Sequence, residues 1–145
     1  MENFSLKIIE HIAIVKVELV SATLRDSQAL WDLMDIESIF EKKKIIIDLS
    51  DCTFIDSTFI GMLVKIYRHI NRYSSILKIV FPKVSELESF KLIGITRIIE
   101  CFPTLSAAIE SFSTNQSVSK IDFLEQNVLN SVSVWRVESY SLKFI

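Results

Sequence analysis

Three consecutive isoleucines, Ile45–Ile47, constrain the fold of this chain more than any other feature. A continuous β-branched run has no polar face, so it suits a central strand covered on both sides. It leads into Asp48 and Leu49, a short polar turn, and then "DSTFIGMLVKIYRHI". There the apolar residues recur at helical spacing, which predicts a helix from about Ser57 to Tyr73. A buried strand feeding a helix is the repeating unit of an α/β sheet.

The rest of the chain extends that unit. Ser5–Glu10 and "HIAIVKVEL" alternate apolar and polar residues, as two adjacent strands with a reversal near Glu10–His11. Leu24 to Phe40 has helical spacing through Leu30, Leu33 and Met34, with Thr23 as its cap. "ILKIVFP" reads as a strand stopped by Pro82. Ser85 and Glu88 have capping-box spacing, and Gly94 is expected to end that helix in a left-handed conformation. "RIIECF" is a last short strand, and Pro103 fits the first turn of a final helix reaching about Phe112. The order predicts a mixed, mostly parallel sheet with helices packed on it.

Composition removes several functional classes. With 145 residues, half of them hydrophobic, the chain is long enough for one domain with a real core. No apolar run approaches the ~20 residues that span a bilayer. The start, "MENFSLKIIEHIAIVKVEL", lacks the basic and apolar blocks of a secretory signal, so a cytoplasmic protein without membrane insertion is expected. A net charge of −2 and the absence of a basic stripe disfavour nucleic acid; Lys42–Lys44 reads as a solvated turn. Cys52, Cys101, His11 and His69 lack the spacing of a metal site, and the two thiols read as reduced and structural. Gly61 and Gly94 are the only glycines, too few for a phosphate-cradling loop. Neither a cofactor nor a metal is expected, and Asp56 and Ser57 have no evident histidine partner for catalysis.

The triplet Asp56, Ser57, Thr58 carries the chemistry that remains. On a helical wheel Phe59, Leu63, Ile66, Tyr67 and Ile70 form one apolar face. Thr58, Gly61, Lys65, Arg68 and Arg72 form an opposite surface stripe, with Met62 at its border. Ser57 is the hydroxyl better placed to cap the helix, and Thr58 the one an outside enzyme reaches. Acids and hydroxyls at a helix start are common for capping alone, so two roles stand open: a cap, or a phosphate acceptor beside a docking patch. In the second case a phosphate on Thr58 suits the helix N-terminus but not a partner packed against it.

"KKIIIDLSDCTFIDSTFIGMLVKIYRHI" closely resembles the central segment of STAS domains, the family of bacterial anti-sigma factor antagonists. Asp48 and Leu49 match the family's strand-ending pair. Asp56, Ser57 and Thr58 match its aspartate and two hydroxyl residues, Ile60 its apolar position and Gly61 its second glycine. Phe59 replaces the first glycine, and "VSATL", Val20 to Leu24, departs from the usual Gly- and Asp-containing loop. The resemblance covers roughly Ser5 to Phe112 and implies a STAS-like α/β domain over 1–112 with helices largely on one face. It also implies a non-enzymatic regulator that binds a kinase-type anti-sigma factor. Phosphorylation by that kinase at Thr58, or less readily at Ser57, would switch it off, and a phosphatase would reverse the change. Asp56, Ser57, Thr58, Gly61, Met62 and Lys65 are the expected partner-binding residues. The alternative is a constitutive STAS-like scaffold or subunit of a signalling or transport complex, without phosphorylation.

The remainder, 113–145, behaves as an extension. "STNQSVSK" is linker-like; Ile121, Leu124, Val128 and Val132 recur at helical spacing, and "SVSVWRVESYSLKFI" looks more like a strand. It is expected either to dock on the core or to carry a partner or homodimer contact through Trp135, Tyr140 and Phe144.

Overall fold

The computed structural model describes residues 3–81 and 94–114. Strands β1 (Phe4–Ile9) and β2 (Ile12–Val17) pair antiparallel, with Ile9 opposite Ile12. Glu10 and His11 fill the two-residue turn with φ of 52° and 69°. That left-handed pair matches the twist of the strands, though Asn-Gly is its usual sequence. β4 (Lys44–Asp48), β6 (Ile76–Val80) and β7 (Glu100–Phe102) follow in parallel, giving the order β1-β2-β4-β6-β7 with β1 as the antiparallel edge. A second, two-stranded sheet joins β3 (Ser21–Ala22) to β5 (Phe54–Ile55).

The isoleucine run behaves as its composition requires. Ile45 and Ile47 point into the larger core with Val15, Leu30, Met34, Phe59, Leu63 and Ile66. Ile46 points the other way, into a second core with Ile12, Ile14, Val80, Phe102, Ala108 and Phe112. Helices α1 (Leu24–Ile36) and α2 (Ser57–Ile70) cover the first face; α3 (Leu105–Thr114) covers the second. Each fully buried aliphatic side chain contributes ~1.5–3 kcal/mol by leaving water, so the two-sided burial of β4 makes it the centre of the fold.

Several boundaries differ from the sequence expectation, each for a local reason. α1 stops at Ile36 rather than Phe40, because Ser38 turns left-handed at φ 56° and a 3-10 turn, Ile39–Glu41, swings Ile39 and Phe40 into the core. α2 stops at Ile70, and Asn71–Tyr73 tightens into a 3-10 turn. Gly94 does not end a helix in the left-handed region: it lies in a helical turn over 94–96, and no described glycine has a positive φ. The Ser85–Glu88 capping box lies outside the described residues. Pro103 precedes the first turn of α3; Thr104 is the cap, its Oγ1 accepting the Ala107 N–H at 3.1 Å. α3 runs to Thr114, so the first two residues of the expected linker are helical. The helix and strand expected after Lys120, and any contact they make, lie outside the described residues.

Beneath α3 sits a buried lysine. Lys78 is 6% exposed on β6; its Nζ donates to Ser111 Oγ at 2.6 Å and lies 3.4 Å from Glu100 Oε1. It also lies 4.2 Å from the centre of the Phe112 ring. Ser111 Oγ donates onward to the Ala108 carbonyl at 2.7 Å, so the buried polar groups are satisfied in sequence.

Candidate functional site

Both loops at the C-terminal ends of β2 and β4 converge on Asp56. Its Oδ1 accepts the Phe59 N–H at 2.8 Å, which makes Asp56 the N-cap of α2. Its Oδ2 accepts the Leu24 N–H at 2.9 Å, which closes the start of α1. One carboxylate therefore caps two helices. Around it the β3–β5 pairing continues: the Val20 carbonyl accepts Thr53 N–H at 2.7 Å and Phe54 N–H at 3.2 Å, and the Ala22 carbonyl accepts Asp56 N–H at 3.1 Å. Asp26 Oδ2 accepts the Thr23 N–H at 2.9 Å, so Thr23 occupies the predicted cap position of α1.

This corrects the division of labour within the triplet. Ser57 is not the cap; it is the first residue of α2 and exposed, as is Thr58 beside it. Asp56 wins because its short carboxylate reaches the N3 amide while it also satisfies Leu24, 32 positions away in sequence. Neither the Ser57 nor the Thr58 hydroxyl makes a hydrogen bond among the described residues. The stripe is otherwise placed as the wheel predicts. Gly61, Lys65, Arg68 and Arg72 are exposed, Met62 is half-buried, and Phe59, Leu63, Ile66 and Ile70 are buried with Tyr67 half-buried. Phe59 is fully buried, so the residue that replaces the first glycine faces the core and leaves the surface beside Thr58 open. A Cβ on Gly61 would meet nothing within 4 Å, so that surface is bare backbone. Lys65 does not fold back over Thr58; its Nζ lies 4.6 Å above the Trp31 ring of α1.

Apolar side chains beside the triplet were not singled out from sequence. Val20 and Leu24 are 68% and 66% exposed, and Phe54 is also open. Their backbones are tied to Asp56 or to its neighbours, so they form a fixed collar at the same end as Thr58. Val20 lies in a loop, Leu24 begins a helix and Phe54 is in a two-residue strand, so no periodic signal finds them. Next to the collar an open groove of about 330 Å³ is lined by Glu18, Leu19, Val20, Ser50 and Asp51, with Lys16 3.6 Å from Asp51.

This end presents exposed hydroxyls, bare backbone and apolar side chains. Among the described residues no three His, Cys, Asp or Glu side chains are grouped to hold a metal. Cys52 and Cys101 are buried and neither is in a disulfide. The Cys52 thiol is pushed up to about 12, chiefly by burial and then by Asp51, Asp48 and Asp26, which makes it inert as a nucleophile at neutral pH. No described helix is long and apolar enough to cross a membrane.

Comparison with known proteins agrees with this architecture. The STAS domain profile matches residues 4–108. A Thermotoga maritima protein assigned as an anti-sigma factor antagonist superposes with a TM-score of 0.60 at 26% identity, over 74% of this chain and 92% of that one. An anti-sigma factor antagonist from Mycobacterium paratuberculosis superposes with a TM-score of 0.62 at 17% identity, over 74% and 91% of the two chains, a likeness of fold. No curated protein matches. The sheet order, the strand-turn-helix around Asp56 and the profile match give one conclusion: this chain belongs to the STAS domain family.

Proposed function

We propose that this protein is a non-enzymatic, cytoplasmic regulator of the anti-sigma factor antagonist type. It binds a kinase-type anti-sigma factor through the start of α2 and is released when that kinase phosphorylates Thr58. A phosphatase restores the binding form. The observation that carries this is the state of the two hydroxyls. Thr58 is exposed with its hydroxyl making no bond among the described residues, while Asp56 caps α2. Modification of Thr58 therefore breaks no bond that holds the fold.

The physical consequence is a switch confined to the surface. A phosphate adds ~1.5–2 negative charges at a helix N-terminus that tolerates an anion. A partner covering Thr58, the bare backbone at Gly61 and the collar of Val20, Leu24 and Phe54 would have to bury that charge beside apolar atoms. Burying an unpaired charge is far costlier than burying a hydroxyl, so the partner leaves and the domain stays folded. The test is incubation of the purified chain with its captured anti-sigma kinase and ATP, followed by mapping of the phosphate. Phosphate on Thr58 with loss of the complex is expected; modification only elsewhere would overturn the assignment.

A further inference from the structure

The two helices on the first face carry opposite charge on their outer sides. Beyond Arg25 in its first turn α1 exposes Asp32 and Asp35; α2 exposes Lys65 and Arg68. None of the four makes an ion pair among the described residues, where the ion pairs are Lys16–Asp51 and Lys78–Glu100. Asp32 accepts a hydrogen bond from Gln28, its neighbour on α1, and Lys65 rests over Trp31. Among the described residues none of the four charges is met by an opposite one.

The shared cap also sets their levels. Asp56 bonds the N–H of Leu24, the first residue of α1, and of Phe59, the third of α2, so the two helices start within ~3 Å of one height. Both are crossovers between parallel strands, so they run in the same direction. Asp32 and Lys65 each lie eight residues past the first residue of their helix, ~12 Å along it, and Asp35 and Arg68 each lie eleven past it, ~16 Å along. Acids and bases thus stand within ~3 Å of one height on adjacent helices, inside the reach of lysine and arginine side chains.

We propose that this face is a self-complementary interface for a second copy of the chain. The copy is turned about a two-fold axis parallel to the helices, which keeps heights and exchanges sides. Its α2 then lies against α1 of the first copy, and its α1 against α2. Asp32 of each copy meets Lys65 of the other, and Asp35 meets Arg68. Gln28, four residues into α1, meets Gly61, four residues into α2, where the bare backbone admits close approach. Leu24 and Ile36, 66% and 74% exposed at the two ends of α1, are covered by the same contact. An acidic or a basic partner would suit one helix and be repelled by the other; a second copy satisfies both. The proposal needs only the chain itself and stands apart from the reading of Thr58. The two meet in one consequence: Thr58 lies in the covered face, so self-association and partner docking exclude each other.

The test is sedimentation velocity of the purified full chain. A reversible dimer is expected that weakens about tenfold or more between ~0.05 and ~0.5 M salt, because screening acts on the charge pairs. D32K/D35K and K65E/R68E, all at exposed positions, are each expected to be monomeric with unchanged circular dichroism. An equimolar mixture of the two is expected to form a heterodimer, since at these four positions one then presents acids and the other bases. The quadruple variant regains the homodimer and serves as the check if either double variant misfolds. Wild type that stays monomeric up to ~0.5 mM overturns the proposal. So does a mixture that does not associate, or a dimer that charge reversal leaves unchanged.

Discussion

Asp56 accepts the backbone N–H of Leu24 at 2.9 Å, so a residue at the start of α2 also closes the start of α1. The two loops that frame Thr58 are thereby fixed to each other, and the site is a rigid end of the domain. The carboxylate shares this task with the β3–β5 pairing, in which the Val20 and Ala22 carbonyls also join the two loops.

Removing that carboxylate has a calculable effect. Each cap is worth ~1 kcal/mol, and both accept charge-assisted bonds, so Asp56→Ala should cost about 2–3 kcal/mol by urea denaturation. Asp56→Asn keeps one acceptor and should lose about half of that. Thr58→Ala should stay within about 0.5 kcal/mol of wild type, as an exposed substitution with no bond to break. A loss at Thr58 equal to that at Asp56 would show that the hydroxyl is structural.

The lysine beneath α3 predicts the outcome of charge removal. Burial pushes Lys78 below its ordinary 10.5, against the pull of Glu100 and with the repulsion of Lys44. Glu100→Gln leaves Lys78 buried without its counter-charge and should destabilise by about 3 kcal/mol, whereas the double replacement K78M/E100M should be neutral or stabilising. A double variant less stable than E100Q would contradict this.

The same group gives a pH dependence of definite sign. A lysine whose folded pKa is depressed is deprotonated in the folded chain while the unfolded chain still holds the proton. Stability from Lys78 therefore rises with pH between its depressed folded value and 10.5, and K78M/E100M should lack that rise. Cys52 acts oppositely: raised from 9.0 to about 12, its contribution is full below pH 9 and is lost as pH climbs through about 12. Denaturation series from pH 8 to 11 on K78M/E100M and on Cys52→Ala, each against wild type, separate the two slopes.

Cys52 also predicts its own reactivity. In the native protein at pH 8 a thiol reagent should modify Cys52 at least about a hundredfold more slowly than in the unfolded chain, since burial withholds both access and thiolate. Rapid labelling without unfolding would show that this end of β4 opens.

Periodicity made much of this legible in the sequence. The Ile45–Ile47 run located a strand buried on both faces, and the α2 wheel placed Phe59, Leu63, Ile66 and Ile70 inward and Thr58, Gly61, Lys65 and Arg68 outward. What escaped depends on partners distant in the chain. The bond from Leu24 to Asp56 spans 32 positions and the contact of Lys78 with Ser111 spans 33, and neither leaves a local pattern. β3 and β5 have two residues each, too few for a period. Ser38 and Gly94 show a different limit: Ser38 turns left-handed where the chain buries Ile39 and Phe40, while Gly94 lies in a helical turn.

The most direct test of the central claim is side-by-side capture of partners by wild-type and Thr58→Glu protein, each folded to the same melting temperature, with identification of what binds. The account predicts that a kinase-type anti-sigma factor accompanies wild type, is lost with Thr58→Glu, and places phosphate on Thr58 when ATP is supplied. If both forms retain the same partners in equal amount, Thr58 is not the switch, and the protein is a constitutive scaffold.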